Sequence, residues 1–558
     1  MEQAAIALLQ HDPLNADGLK TLFRVLHAKT RHDAATIVIE RLALHHQNDP
    51  VVRISAIEFY LSRNEVPRAM GHGRMLIRLA PEAVLSHFLM GRVFMAQHNP
   101  KAAEHHFRIA LKLPIGRGPE ISVMDLEGNL ALTLRDQGKF NEAREMFRQL
   151  DSVHGPNLTV LLSWAQLEEA AQDFDQSETL LDRADALAPA NARVGMARAI
   201  LLRRRKKPQE ALNALESMDS DDGIALLQQG QVLDSMGRYD EAFDAFDRGK
   251  AKLRERTGQA YLRDEAAALV GELKNFFTAG RTRLLPRAVV RSDFPQPIFI
   301  VGFPRSGTTL LEQSLTAHSD VAAGDELPII HTLTGRLPDL LGSLLGYPKA
   351  LSELWLGDRV GHINNLRDHY LNEALRFGAA DPSKRWFTDK MPLNETHLGL
   401  INLLFPESPI IHMIRHPLDV VTSVYSNFLT HGFHCSMSLE SSAEHFAIIS
   451  DLVNHYMREI PLRYMAVKYE ELIDDQEAQV RAIADYIGLS YEPAMLDFQS
   501  NTRAARTASY AQVTEPLYRR SRFRYRNYLS YLAPVVPILR PAIDRLGYDV
   551  DQVLEREE

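Results

Sequence analysis

The stretch Pro297-Ile298-Phe299-Ile300-Val301-Gly302-Phe303-Pro304-Arg305-Ser306-Gly307-Thr308-Thr309 decides the fold, because the grammar of the chain changes there. Residues 298–301 are uniformly apolar and read as a buried strand. Gly302 ends that strand, a short loop follows, and a helix begins near Thr308. Backbone N–H groups at such a helix start converge on one point, and the helix dipole adds positive potential there, a geometry that binds phosphate. The ATP-binding form of this turn reads G-x-x-x-x-G-K-[ST]. Gly302 and Gly307 keep its glycine spacing, but Thr308 stands where the lysine belongs and Arg305 supplies a cation from inside the loop. Without the lysine the usual contact to β- and γ-phosphates is lost, which disfavours ATP hydrolysis.

Downstream of Pro297, short apolar runs at 298–302, 386–389, 409–414 and 464–468 alternate with helical patterns at 308–317, 394–404, 418–428, 441–459 and 476–487. Such alternation predicts an α/β domain, P-loop-like, with a central parallel sheet. Upstream, to about residue 255, the pattern is helical and recurrent. Pro50, Pro81, Pro114, Pro156 and Pro189 punctuate it at intervals of roughly 31 to 42 residues. A shared mid-repeat turn is clearest in Gly138-Lys139-Phe140-Asn141-Glu142-Ala143 and Gly237-Arg238-Tyr239-Asp240-Glu241-Ala242. The glycines are expected to take positive φ and end a first helix. Phe140 and Tyr239 are read as plugs between paired helices, with the alanines allowing close packing. These residues resemble the tetratricopeptide repeat, whose period is about 34 residues. The chain is therefore read as multidomain: an all-α tetratricopeptide-repeat superhelix over 1–255, a helical bridge and proline-marked linker over 256–296, and the α/β domain over 297–558.

The whole chain has 558 residues, 45% of them hydrophobic, with a net charge of -9. That balance argues against a general nucleic-acid binder while leaving room for local basic clusters. Cys435 is the one cysteine, so no intramolecular disulfide can form, and a reducing compartment is expected. With no basic, apolar leader and no apolar run near about 20 residues, the expectation is a cytoplasmic protein that does not enter a membrane. The 22 histidines show no zinc-like spacing, and His412, His416 and His431 are read as structural or cleft-lining.

A second anion element follows. Residues 410–414 form a strand that ends in Arg415, and Ser423 comes eight residues later on the next helix. A strand-end guanidinium and an early helical hydroxyl are expected to converge on one anion.

Together these elements resemble the sulfotransferase superfamily over about 296–550. The likeness is greatest to the tyrosylprotein sulfotransferase branch and to the bacterial family that joins tetratricopeptide repeats to such a domain. The resemblance implies a donor, 3′-phosphoadenylyl sulfate (PAPS), and a product, 3′,5′-adenosine diphosphate, with no metal required. It assigns Arg305, Ser306, Gly307, Thr308 and Thr309 to the 5′-phosphosulfate, and Arg415 with Ser423 to the 3′-phosphate. Glu326 matches the family's general base, Asp325 being the second choice, and capping of the next turn is the plainer alternative for both. Lys390 matches the lysine that stabilises the leaving oxygen; a solvated surface lysine is its alternative. Tyr469 matches the strand-end tyrosine near the adenosine, and Ser509 and Tyr510 fall in the late loop over the donor. The basic run Arg519, Arg520, Arg522, Arg524 and Arg526 reads as a solvated face or as a further hold on the donor or an acidic acceptor. The implied activity is sulfuryl transfer to a hydroxyl acceptor, with a tyrosine on a peptide or protein bound in the repeat groove as the leading candidate. A polysaccharide, a small phenol, or an ATP-dependent kinase-like reaction are the alternatives. The absence of a membrane anchor and of the animal enzymes' disulfides points away from secretory-pathway substrates.

Overall fold

The computed structural model describes residues 1–97, 99–114, 121–218, 222–258, 260–429, 433–497 and 521–549. The chain parts into two compact units, Met1–Leu167 and Glu168–Glu558.

The first unit consists of antiparallel helix pairs, among them Pro50–Ser62 with Val66–Leu79 and Val84–Ala96 with Pro100–Lys112. Asp49 and Asn99 cap two of these helices by accepting backbone N–H bonds, each followed by a proline at the first helical position. The repeat pattern continues in the second unit as Ala192–Arg204 with Pro208–Glu216 and Gly223–Ser235 with Tyr239–Thr257. Gly138 and Gly237 do take positive φ, +73° and +76°. The plugs, however, are not Phe140 and Tyr239, which are only half-buried. Phe147 and Phe246, seven residues further along, are the buried rings, with Ala143 and Ala242 beside them. The reason is geometric: a residue at the first position of a helix lies at its end, whereas one two turns in faces the partner helix.

In the second unit five strands form one parallel sheet: β1 (Gln296–Val301), β2 (Val321–Ala322), β3 (Trp386–Asp389), β4 (Ile410–Ile414) and β5 (Tyr464–Lys468), in the order β2-β3-β1-β4-β5. Side chains of β1 alternate between two cores. Phe299 and Val301 pack with Phe387, Tyr370 and Leu403; Ile298 and Ile300 pack with Leu311, Met413 and Ile483. A strand buried on both faces reads as a continuous apolar run, which is why 298–301 carries no polar residue. The bridge is less of a linker than its sequence implies. Leu273 and Phe276 of helix Arg263–Phe276, with Phe277 just after it, enter the same core as Phe299, and His455 Nε2 lies 2.9 Å from the Phe277 carbonyl. None of the described helices is long and apolar enough to cross a membrane.

Candidate active site

Parallel strands bring all their carboxyl ends to one edge, and in such sheets ligands sit where neighbouring strands send their connections in opposite directions. Here that place lies between β1, whose chain leads to β2 on one side, and β4, whose chain leads to β5 on the other.

The loop after β1 is tightly specified. Gly307 has φ +103°, and a Cβ on it would lie 2.5 Å from the Tyr469 ring. Arg305 holds φ +77°, a left-handed conformation costing a non-glycine residue about 1–2 kcal/mol. That backbone presents its carbonyl to Arg415, whose Nη1 donates at 3.1 Å, while Arg305 Nε donates to Ser423 Oγ at 3.1 Å. The Arg415 guanidinium lies 4.7 Å from the centre of the Tyr469 ring and 3.5 Å from Asp419. Asp419 also accepts the N–H groups of Phe523 at 2.7 Å and Tyr525 at 2.8 Å. Burial pushes the Asp419 carboxyl above its usual range despite the Arg415 charge. His416 is held neutral: burial first, then Arg415 and Arg526, lower it to about 3. Its Nδ1 accepts the Leu418 N–H at 3.2 Å.

On the other side of the site, Lys390 emerges from the end of β3 with no solvent exposure and donates to Glu326 Oε1 at 2.7 Å. Burial opposes its charge, but the carboxylates of Glu326, Glu312 and Asp325 outweigh that and keep the ammonium above its ordinary value. Lys390 is thus no solvated surface lysine. Glu326 is about one-third exposed. Its loop is pinned by Glu312, which accepts from Thr388 Oγ1 at 2.8 Å and from the Asp325 N–H at 3.0 Å. The loop crosses β3 so closely that a Cβ on Gly324 would lie 1.9 Å from the Thr388 carbonyl. Beneath it, Tyr370 donates to the buried Asp389 at 2.6 Å, and burial pushes that carboxyl up to about 7 despite this bond.

Arg305, Ser306, Gly307, Thr308, Thr309, Glu326, Lys390, Arg415, Ser423 and Tyr469 therefore all lie at the carboxyl edge of one sheet. Ser423 accepts from Arg305, and Arg415 is held by Asp419 and the loop carbonyl. The basic run is also partly spoken for: Arg522 pairs with Asp474 at 2.7 Å and Arg524 with Asp234 at 2.9 Å. Ser509, Tyr510, Arg519, Arg520 and His431 lie outside the described residues. Sequence reasoning missed Glu312 and Asp419. Glu312 sits on a helix buried nearly all round, where a glutamate reads as the solvent face. Asp419, three residues after His416 and within the helix start, carried a legible signal as a carboxylate four residues from Arg415.

Parts of the chain are similar to known proteins. Residues 297–493 match the model of the sulfotransferase family, and residues 134–201 match that of the tetratricopeptide repeat. The chain is 25% identical over 427 residues to an uncharacterized protein of Aquifex aeolicus, covering 74% of this chain and 54% of that one. It is 27% identical over 266 residues to protein-tyrosine sulfotransferase A of Caenorhabditis elegans, covering 45% of this chain and 67% of that one. The sulfotransferase domain of the Synechococcus PCC 7002 olefin synthase aligns with a TM-score of 0.33 at 20% identity, covering 47% of this chain and 99% of that one. The chain thus spans about half the length of the Aquifex relative. It carries a sulfotransferase-family domain together with tetratricopeptide repeats.

Proposed function

We propose that this protein transfers a sulfuryl group from 3′-phosphoadenylyl sulfate to a hydroxyl acceptor, a tyrosine side chain on a peptide or protein held by the repeats. One observation carries the reading: the buried Lys390 is bonded to the part-exposed Glu326 at the carboxyl edge, beside a phosphate loop whose helix opens on Thr308 in place of lysine.

The residues present fit the donor. Ser306 Oγ and Arg415 Nε are buried without a hydrogen-bond partner among the described residues, and both can donate to an anion. Ser306, Thr308, Thr309 and the N–H groups of the helix start would hold the 5′-phosphosulfate. Arg415 and Ser423 would hold the 3′-phosphate, and Tyr469 would flank the adenosine. When bound, the donor supplies the activated sulfuryl group. Glu326 takes the proton from an acceptor hydroxyl; a phenol of pKa about 10 needs that removal at neutral pH. Lys390 and Arg305 place fixed positive charge where the leaving oxygen develops negative charge, the main device in transfers with a loose transition state. Tetratricopeptide arrays commonly take peptides in their concave face, and the name of the nematode relative specifies a protein tyrosine.

In the test, Glu326→Gln retains the calorimetric affinity for 3′,5′-adenosine diphosphate and loses about 10²- to 10⁴-fold in turnover. Near-wild-type turnover would remove Glu326 from this role, and binding of ATP–Mg²⁺ alone would remove the sulfated donor. Transfer of labelled sulfate into a cell lysate, read by mass spectrometry, tests the acceptor: label confined to glycans or small phenols sinks the peptide.

A further inference from the structure

The nine-residue helix Pro417–Tyr425 carries three of the connections that shape the donor side. Asp419 in its first turn holds Arg415, Ser423 receives Arg305, and Tyr425 at its end reaches Asp247. Fewer than two turns separate Asp419 from Tyr425, so a displacement at one end moves the others almost rigidly.

What grips that end is the last repeat pair, Gly223–Ser235 and Tyr239–Thr257. Tyr425 donates its hydroxyl to Asp247 at 2.7 Å. Lys250, with no solvent exposure, donates to the Asn427 carbonyl at 2.7 Å, and Gln231 donates to the Ser426 carbonyl at 3.1 Å. A second line leaves the same pair through Asp234, which accepts from Arg524 Nε at 2.9 Å and from the Tyr528 hydroxyl. Arg524 lies between the two residues whose N–H groups bind Asp419. The apolar surfaces are also continuous: Leu227, Phe246 and Leu253 of the repeat share one buried cluster with Leu418, Val421, Tyr425 and Tyr528. Adhesion alone would be served by apolar contact. The buried Lys250 and the hydroxyls of Tyr425 and Tyr528 each meet a directional partner, and such bonds fix a register.

We propose that the final repeat pair is part of the donor site, with Asp247 and Asp234 as positioning residues that set Arg305 and Arg415 through Tyr425 and Arg524. This rests on the donor reading given above. It assigns the last repeat a task distinct from acceptor capture. Displacements of about 1 Å at a remote support cost catalysis heavily when the reacting groups are preorganised.

The test uses full-length protein carrying Tyr425→Phe, which removes one oxygen and keeps the ring, and separately Asp234→Asn. The affinity for 3′,5′-adenosine diphosphate is measured by calorimetry, and KM for donor and acceptor by sulfate transfer. Each variant is expected to bind the nucleotide about three- to tenfold more weakly, the scale of one ordinary hydrogen bond. The donor KM rises in step, and the acceptor KM stays within about twofold. Tyr60→Phe, the same deletion at a hydroxyl that bonds Glu40 in the first unit, leaves the nucleotide affinity unchanged. A merely structural role would lower the active fraction without moving affinity or KM, and that result overturns the proposal. So does wild-type affinity in both variants. Failure of the wild-type protein to bind the nucleotide would instead overturn the donor reading.

Discussion

Two repeat pairs of this chain share an interior and differ in what they show to their surroundings. In Val84–Ala96 with Pro100–Lys112, Gly91 leaves room for Phe107; in Gly223–Ser235 with Tyr239–Thr257, Gly230 does the same for Phe246. Ala103 and Ala242 are fully buried in corresponding places. Outside, the earlier pair meets the next repeat through part-exposed ion pairs: Glu104, braced by Arg108 of its own helix at 2.7 Å, takes Lys139 at 2.8 Å. The later pair presents Asp234, Asp247 and the buried Lys250 to the catalytic segment. Where the later helix has Lys250, the earlier one has Leu111. The interior plan encodes only that two helices pair; the outward residues decide whether a repeat meets another repeat or a helix of the sheet domain.

The largest test of this contrast is at the plugs. Phe107→Ala and Phe246→Ala should each cost about 3–5 kcal/mol in denaturant titrations, because both rings are fully buried. Only Phe246→Ala should also weaken binding of 3′,5′-adenosine diphosphate. Equal effects on nucleotide binding would erase the distinction between the pairs.

Lys250 sharpens the contrast through pH. Burial lowers it to about 7, below its ordinary 10.5. A lysine whose folded value is depressed binds fewer protons in the folded state, so its contribution is fully present above about 10.5 and lost as pH falls through about 7. Between pH 7 and 9 the wild-type protein should gain up to about 1.4 kcal/mol per pH unit over Lys250→Met. Parallel stability curves for the two proteins would mean that the lysine is not buried as described.

The smallest effect belongs to the earlier pair's ion pairs. Glu104→Ala should cost about 1 kcal/mol or less by thermal melting, since both cationic partners are well exposed. A loss as large as that of a plug would show that outward residues matter alike in both pairs.

The parallel sheet, the phosphate loop and the repeats were legible because each rests on local pattern: the apolar run 298–301, the glycine spacing 302–307, and recurring glycine and alanine turns. The plugs were misplaced by seven residues because the turn motif marks where a helix begins, while packing is decided two turns in. Lys390 could be picked out but not distinguished from a surface lysine, since its burial depends on Glu326, Glu312 and Asp325 arriving from other segments. The bond from Arg305 to Ser423 was not legible, since the two lie 118 residues apart in sequence.

By itself the sequence determined the order of helix pairs and strands and the phosphate-loop pattern, since these follow from periodicity and short-range chemistry, while Glu326, Lys390 and Tyr469 were named through the family resemblance. Tertiary structure alone decided which charge meets which. It gave Arg415 to Asp419, Lys390 to Glu326, and the end of helix Pro417–Tyr425 to Asp247 and Lys250. The physical reason is range. Hydrophobic periodicity repeats within a few residues and survives in one dimension, but a buried charge finds its partner only after distant segments have been desolvated together.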